Sequence, residues 1–209
     1  MPVQKPFLKW VGGKTQIMDE ILAKVPGEMV NYHEPFLGGG SVLLAILSLR
    51  KERQIKIHGK IYACDINPCL IDVYRHIQNK KDTLFQEIAR HLEVYSSIVG
   101  DTVNRKPKSI AEARTSKESY YYWMRAMYNK IEPGSVEKSA LFMLLNKTCF
   151  RGMYREGPNG YNVPYGHYKR TPTIITEEEL NTVCDLIRDV EFKCCDFAEA
   201  MKEVRAGDF

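Results

Sequence analysis

The sequence predicts an α/β fold of the doubly wound kind, interrupted by a mainly helical insert. Residues 29–65 read strand, glycine-rich turn, helix, strand, acid, the opening half of such a sheet. Residues 176–204 return to helix, strand, acid, helix. The stretch between them, 68–171, is helical in period at first and then rich in glycine and proline, which breaks the α/β alternation.

Residues 15–24 predict a short helix, with Ile17, Ile21 and Leu22 on one face and Val25-Pro26-Gly27 stopping it. A strand over 29–33 runs into Glu34-Pro-Phe-Leu-Gly-Gly-Gly40, and Ser41 opens an apolar helix to about Arg50. Residues 60–64 predict a second strand, ending on Asp65. Helical period fills 68–95, and 99–117 is polar and irregular. Helices follow over 117–131 and 135–147, separated by Pro133-Gly134. Tyr121, Met124 and Tyr128 fall at i, i+3 and i+7, the spacing of a packed face. Residues 148–172 carry Gly152, Gly157-Pro-Asn-Gly160, Pro164 and Gly166, the mark of a hairpin or ordered loops. Thr176-Glu-Glu-Glu179 fits a capping box before a helix whose Leu180, Val183, Cys184 and Ile187 share one face. Val190–Cys195 predicts a strand ending at Asp196, and Phe197–Val204 a helix.

Composition excludes other classes. The 209 residues hold 30 Lys and Arg against 26 Asp and Glu, are 44% hydrophobic and 27% charged, and so match an ordinary globular chain rather than a disordered or fibrous one. The longest apolar run, Val42–Leu47, is far short of the roughly 20 residues that span a bilayer. No signal-like apolar segment follows Met1. These features predict a cytoplasmic chain without a membrane partner. Six cysteines lack Cys-x-x-Cys spacing and form no metal-like cluster with the five histidines; they predict reduced packing residues and no metal.

The turn Gly38-Gly-Gly-Ser41 lies between a strand and a helix, where glycines admit a ligand to the backbone and the helix start adds donors. Asp65 follows Gly40 by 25 residues at the end of the next strand, a position from which a carboxylate accepts ribose hydroxyls. Together they predict a nucleoside site. Leu43 stands where the dinucleotide fingerprint needs its third glycine, which argues against an oxidoreductase. Gly13-Lys-Thr15 lacks both the leading glycine and the strand of a phosphate loop.

Five linked segments resemble the Dam-type (D12 class) adenine-specific DNA methyltransferases. They are Pro6-Phe-Leu-Lys-Trp-Val-Gly-Gly-Lys14, Glu34-Pro-Phe-Leu-Gly-Gly-Gly-Ser41, Asp65-Ile-Asn67, Asn146-Lys-Thr-Cys-Phe-Arg-Gly-Met-Tyr-Arg155 and Gly160-Tyr-Asn-Val-Pro-Tyr-Gly-His-Tyr-Lys169. The resemblance implies a Rossmann-like methyltransferase sheet made of 1–67 and 172–209, with 68–171 as an inserted target-recognition unit. It implies methyl transfer from S-adenosyl-L-methionine to the exocyclic amine of adenine in duplex DNA. Position by position, Trp10 and Lys14 would contact the cofactor, and Phe36, Gly38 and Gly40 would line its methionine end. Asp65 would hold the ribose, and Asp196 with Phe197 would flank the adenine ring. An aromatic face suits a sulfonium cation, and a lysine suits a carboxylate.

Residues 147–170 hold Lys147, Arg151, Arg155, Lys169 and Arg170 against one acid, Glu156, with aromatic residues interleaved. Cations attract phosphate, Arg reads guanine edges and aromatic rings wedge into base stacks. DNA contact is expected of Lys9, Phe150, Arg151, Arg155 and Tyr165; by the resemblance Lys9 matches a DNA-contacting position and Arg155 the guanine-reading arginine, which makes Arg155 the expected base reader. Phe150-Arg151 stands where the enterobacterial pattern has Tyr-Asn, so a GATC-like target is the default only. The family's catalytic Asp-Pro-Pro-Tyr is absent from the 209 residues. The nearest string, Asn162-Val-Pro-Tyr165, lies in the recognition region. No catalytic residue is therefore assigned, and the chain alone is expected to be inactive, with its sheet left with an unpaired apolar edge. Expected origins are a truncated frame, a deliberate fragment, or half of a split enzyme joined by a C-terminal partner fragment. The alternative function is a non-catalytic DNA-binding or regulatory remnant.

Overall fold

The computed structural model describes residues 3–168 and 170–209. It is a mixed α/β protein with small parallel sheets. The central sheet has the order β2-β4-β7, from Tyr32–Glu34 (β2), Ile61–Asp65 (β4) and Val190–Cys194 (β7). All its pairings are parallel, with Tyr32 opposite Ile61 and Ile61 opposite Val190. Glu28–Met29 (β1) pairs separately with Lys56–Ile57 (β3), also in parallel.

The expected strand over 29–33 is thus two short strands. They part at Val30-Asn31, where Asn31 turns its amide to other work. Its Oδ1 accepts from Lys60 N–H at 2.8 Å, and its Nδ2 donates to Asp208 Oδ1 at 2.9 Å. The β2 edge is not bare, which corrects the expectation of an unpaired edge there. Val30 N–H donates to Gly207 O, Phe209 N–H to Asn31 O and His33 N–H to Phe209 O, at 2.8–3.0 Å. The buried Asp208 carboxylate also takes His33 Nε2 at 3.0 Å. Burial pushes that carboxyl up, but hydrogen bonds from Arg205 N–H, His33 and Asn31 outweigh it and hold it below the usual carboxylate range.

Several helices start where the sequence places a cap. Ser41–Lys51 (α2) follows left-handed Gly40 and buries Leu43, Leu44, Ile46 and Leu47. Pro68–Asn79 (α3) begins with Asn67 Oδ1 accepting from Leu70 N–H and Pro68 in its first turn. Glu177–Leu186 (α8) begins with Thr176 Oγ1 accepting from Glu179 N–H at 3.1 Å. The shorter Met18–Leu22 (α1) follows a 3-10 turn over Lys14–Ile17.

The continuous period over 68–95 is two helices, α3 and Lys81–Ser97 (α4), broken at Lys80. No local breaker marks the site. Tertiary bonds decide it: Gln78 Nε2 donates to the carbonyls of Ile187 and Val190, tying the end of α3 to the sheet. Tyr74 stacks on Phe192 at 5.2 Å, so α3 covers β7. Ile110–Ala113 (α5), Lys117–Lys130 (α6) and Val136–Thr148 (α7) complete the middle of the chain. Tyr121, Met124 and Tyr128 are fully buried there. Glu156–Gly157 (β5) and Gly160–Tyr161 (β6) form an antiparallel hairpin. Phe197–Ala200 (α9) and a 3-10 turn over Met201–Glu203 follow β7. One contiguous hydrophobic core runs from Phe7 and Leu8 through α3, α4, α6 and α7 to Phe192. Among the described residues all six cysteines are free. No described helix is long and apolar enough to cross a membrane.

Candidate cofactor cavity and nucleic-acid interface

A cavity of about 460 Å³ opens at the carboxyl ends of β2 and β4, lined by Trp10, Lys14, Glu34, Phe36, Gly38 and Asp65 among others. Crevices at that end of a parallel sheet are where open α/β folds bind ligands. Asp65 organises its floor. Its Oδ2 accepts from Gly38 N–H at 2.9 Å and its Oδ1 from Asn67 N–H at 3.0 Å, so one carboxylate ties the glycine turn to the start of α3. Gly40 packs against Tyr74 beneath this turn.

Trp10 forms one wall, in contact with the backbone of Gly38 and Gly39. Lys14 Nζ donates to Gly12 O at 2.7 Å and its N–H to Ser41 Oγ at 3.3 Å. Phe36 is 68% and Phe197 50% exposed, yet their rings meet at 5.4 Å. The two rings pack directly on each other and present only their outer faces; Phe197 and Asp196 do not line the cavity itself. Asp196 is occupied as the cap of α9, accepting from Ala198 N–H at 2.8 Å.

Glu34 is the residue sequence reasoning missed, although it stands in the quoted Glu-Pro-Phe segment. Tyr32 Oη donates to its Oε2 at 2.6 Å. Burial pushes the Glu34 carboxyl up to about 7, against the Tyr32 hydroxyl and the charge of Lys14, which pull it down. Between pH 4.5 and about 7 the folded chain therefore holds a proton there that the unfolded chain has lost. By linkage this contribution to stability is fully present below the unfolded value and is lost as pH rises through the folded one. Glu34→Gln is expected to flatten that part of the stability–pH curve, measured by urea unfolding from pH 4.5 to 8. A curve unchanged from the parent's would exclude a raised Glu34.

The basic segment begins where α7 ends. Phe150–Gly152 form a 3-10 turn in which Arg151 takes φ +56° and carries its guanidinium over the Phe150 ring at 5.2 Å. Phe150 and Arg151 are exposed. Arg155 is exposed and donates from Nε to Asn162 Oδ1 at 2.6 Å, which steers it along the hairpin. Lys9 reaches the same face, with Nζ donating to Tyr168 Oη at 3.1 Å.

One expected member lies elsewhere. Tyr165 is only 7% exposed, and its hydroxyl pairs with Tyr95 Oη at 2.7 Å. It packs the interior rather than facing a ligand. Lys147 is half-buried, and burial holds its ammonium below the ordinary value. Lys169 lies outside the described residues. Asn162-Val-Pro-Tyr165 does not line the cavity, because Tyr165 and Asn162 are committed to the interior and the hairpin. Among the described residues no group of three or more His, Cys, Asp or Glu side chains is placed to hold a metal.

The two regions meet at Trp10. Its ring stacks on Tyr154 at 5.7 Å, one residue before Arg155. Residues 10–209 match the family described as D12 class N6 adenine-specific DNA methyltransferase. The chain is 36% identical over 213 residues to the type II methyltransferase M.MjaIII of Methanocaldococcus jannaschii, covering 98% of this chain and 66% of that protein. It is 31% identical to the DNA adenine methylase of Haemophilus influenzae, over 95% of this chain and 59% of that one. It is 30% identical to that of Escherichia coli K12, over 100% and 63%. The chain thus spans between 59% and 66% of the length of these relatives.

Proposed function

Because the chain belongs to the D12 class N6 adenine-specific DNA methyltransferases, we propose that it binds S-adenosyl-L-methionine in the Trp10–Asp65 cavity and duplex DNA on the Lys9–Arg155 face. The observation that carries this reading is the contact between the two sites. The Trp10 ring is a wall of the cavity and the stacking partner of Tyr154 in the basic segment. A donor in the cavity and a base held by the reader would therefore lie close together, which methyl transfer requires.

The residues fit this cofactor by their chemistry. Asp65 offers a carboxylate to ribose hydroxyls while holding the glycine turn. Phe36 and Phe197 offer ring faces to the adenine. Glu34 and Lys14 both line the cavity; Lys14 offers a cation to a ligand carboxylate, and Glu34, once it loses its proton near pH 7, an anion to a ligand ammonium. When bound, S-adenosylmethionine supplies a methyl group on a cationic sulfur that leaves as a neutral thioether. Trp10 presents a π-face suited to that cation.

On the DNA side, Arg151, Lys9 and the exposed Arg155 supply charge for phosphates, and Arg155 suits bidentate guanine reading. A GATC-like site is the target we test first. We assign 1–67 and 172–209 to a Rossmann-like cofactor unit and 68–171 to the recognition insert, with α3 packed on β7 as their shared element. A cytoplasmic location is our reading, in keeping with a DNA substrate.

No residue among the 209 is assigned to the amine's protons, because Asp-Pro-Pro-Tyr is absent from them. The 209-residue polypeptide is therefore expected to bind cofactor and DNA but to transfer tritiated methyl groups to a GATC duplex no faster than its Lys14→Ala variant. Transfer above that control would overturn the assignment of no catalytic residue. A segment carrying the tetrapeptide, added in trans, is the matching gain-of-function arm. DNA affinity is expected to fall steeply between 50 and 200 mM salt. Arg155→Ala is expected to weaken binding by about 1–3 kcal/mol on a GATC duplex and less on an unrelated one. Salt-independent affinity, or no cofactor binding by calorimetry, refutes the proposal.

A further inference from the structure

We infer that Asn146 is a positioning residue that locks the Trp10 wall of the cavity to the DNA-reading segment, so that binding at one site strengthens binding at the other. The inference rests on the function proposed above and names how its two sites communicate.

Asn146 sits in the last turn of α7 and is only 4% exposed. Its side chain does what a neighbouring strand would do for Lys9. Oδ1 accepts from Lys9 N–H at 2.9 Å, and Nδ2 donates to Lys9 O at 2.7 Å. The same Nδ2 also reaches Gly152 O at 3.4 Å. One amide thus holds the residue before Trp10 and the residue after Arg151. Only a side chain with both a donor and an acceptor at its tip satisfies this set, and buried main-chain groups left unpaired are costly.

The surroundings make the lock stiff. Gly152 has φ +67°, and a Cβ there would stand 2.4 Å from Lys9 Cβ. The Gly152 backbone therefore packs directly against the Lys9 side chain. Beyond it, Trp10 touches the glycine turn on one side and stacks on Tyr154 and Phe142 on the other. A shift of Lys9–Trp10 toward a bound cofactor must move Gly152 and Tyr154 with it. Rigid, contiguous packing of this kind carries coupling between sites.

Asn129 provides a matched control. Its Oδ1 accepts from Tyr161 N–H at 2.9 Å and its Nδ2 donates to Tyr161 O at 3.0 Å. It is the same clamp on the hairpin, without contact to Lys9.

The test is a binding square on the 209-residue chain. S-adenosylhomocysteine affinity is measured with and without a GATC duplex, and duplex affinity with and without S-adenosylhomocysteine. The parent chain is expected to show about tenfold mutual tightening, equal in both directions as linkage demands. Asn146→Ala is expected to bring that ratio below threefold, and so is isosteric Asn146→Asp, which keeps the volume but loses the donors. Asn129→Ala is expected to lower duplex affinity with and without cofactor alike, leaving the ratio at the parent value. Thermal melts of each variant confirm that folded protein is compared. Unchanged coupling in a folded Asn146 variant overturns the inference, as does a parent chain that binds both ligands independently. An equal loss of coupling in Asn129→Ala also overturns it, because the effect is then generic. A parent chain that binds neither ligand overturns the proposed function together with this inference.

Discussion

Asp65→Ala is expected to weaken S-adenosylmethionine binding at least ~100-fold, about 2.7 kcal/mol. Two losses combine. The carboxylate is the acceptor for Gly38 N–H and Asn67 N–H, so its removal frees the glycine turn from the start of α3. It is also the acceptor we assign to the ribose. Hydrogen bonds to a charged group contribute about 1.5–3 kcal/mol each when a partner is removed. Asp65→Asn keeps one carbonyl oxygen and is expected to fall between parent and alanine. Calorimetric titration of the three proteins decides the matter. An unchanged dissociation constant in a folded Asp65→Ala protein removes Asp65 from the site.

Gly40→Ala is expected to destabilise the fold by about 2–4 kcal/mol, the range of overpacking and strain at a special backbone position. Gly40 has φ +71°, and a Cβ there would lie 2.1 Å from Tyr74 Oη. Tyr74 has no room to retreat. It is fully buried, with its ring stacked on Phe192 and edge-on to Phe7 at 5.3 Å. Among the described residues its hydroxyl has no hydrogen-bond partner. Tyr74→Phe is therefore expected to change stability by less than about 1 kcal/mol, since it removes a buried group that nothing satisfies. Combining the two changes is expected to recover part of the Gly40→Ala loss. Urea unfolding of the four proteins forms a double-mutant cycle. Strict additivity would show that the contact does not set the cost.

Much of this protein is legible in its chain. The helix starts at Asn67, Ser135 and Thr176 follow from short polar side chains that accept from main-chain N–H groups three residues on. The lining of the cavity is legible because it is built largely from segments that stay together: Trp10–Lys14, Phe36–Gly39 and Asp65. Other features depend on partners distant in sequence. The break at Lys80 comes from Gln78 gripping β7, and the split of β1 from β2 from Asn31 serving Lys60 and Asp208. Tyr165 read as a reader residue by its place among cations, but Tyr95 takes its hydroxyl inside.

Glu34 marks the boundary most clearly. Its presence in the motif is plain, yet its raised carboxyl arises from burial, which no local pattern encodes. The same holds for Asn146, whose importance lies in bonds to Lys9, 137 residues away. The sequence by itself determined the family, the order of elements and the types of residue that reach the cavity, because periodicity, caps and glycine turns are local properties. The tertiary structure alone decided which of those residues line the cavity or stand exposed and which are spent on the core. It also decided that one amide joins Lys9, beside the cavity, to Gly152 in the basic segment, because burial and hydrogen-bond partnership are set by neighbours that the chain brings together only on folding.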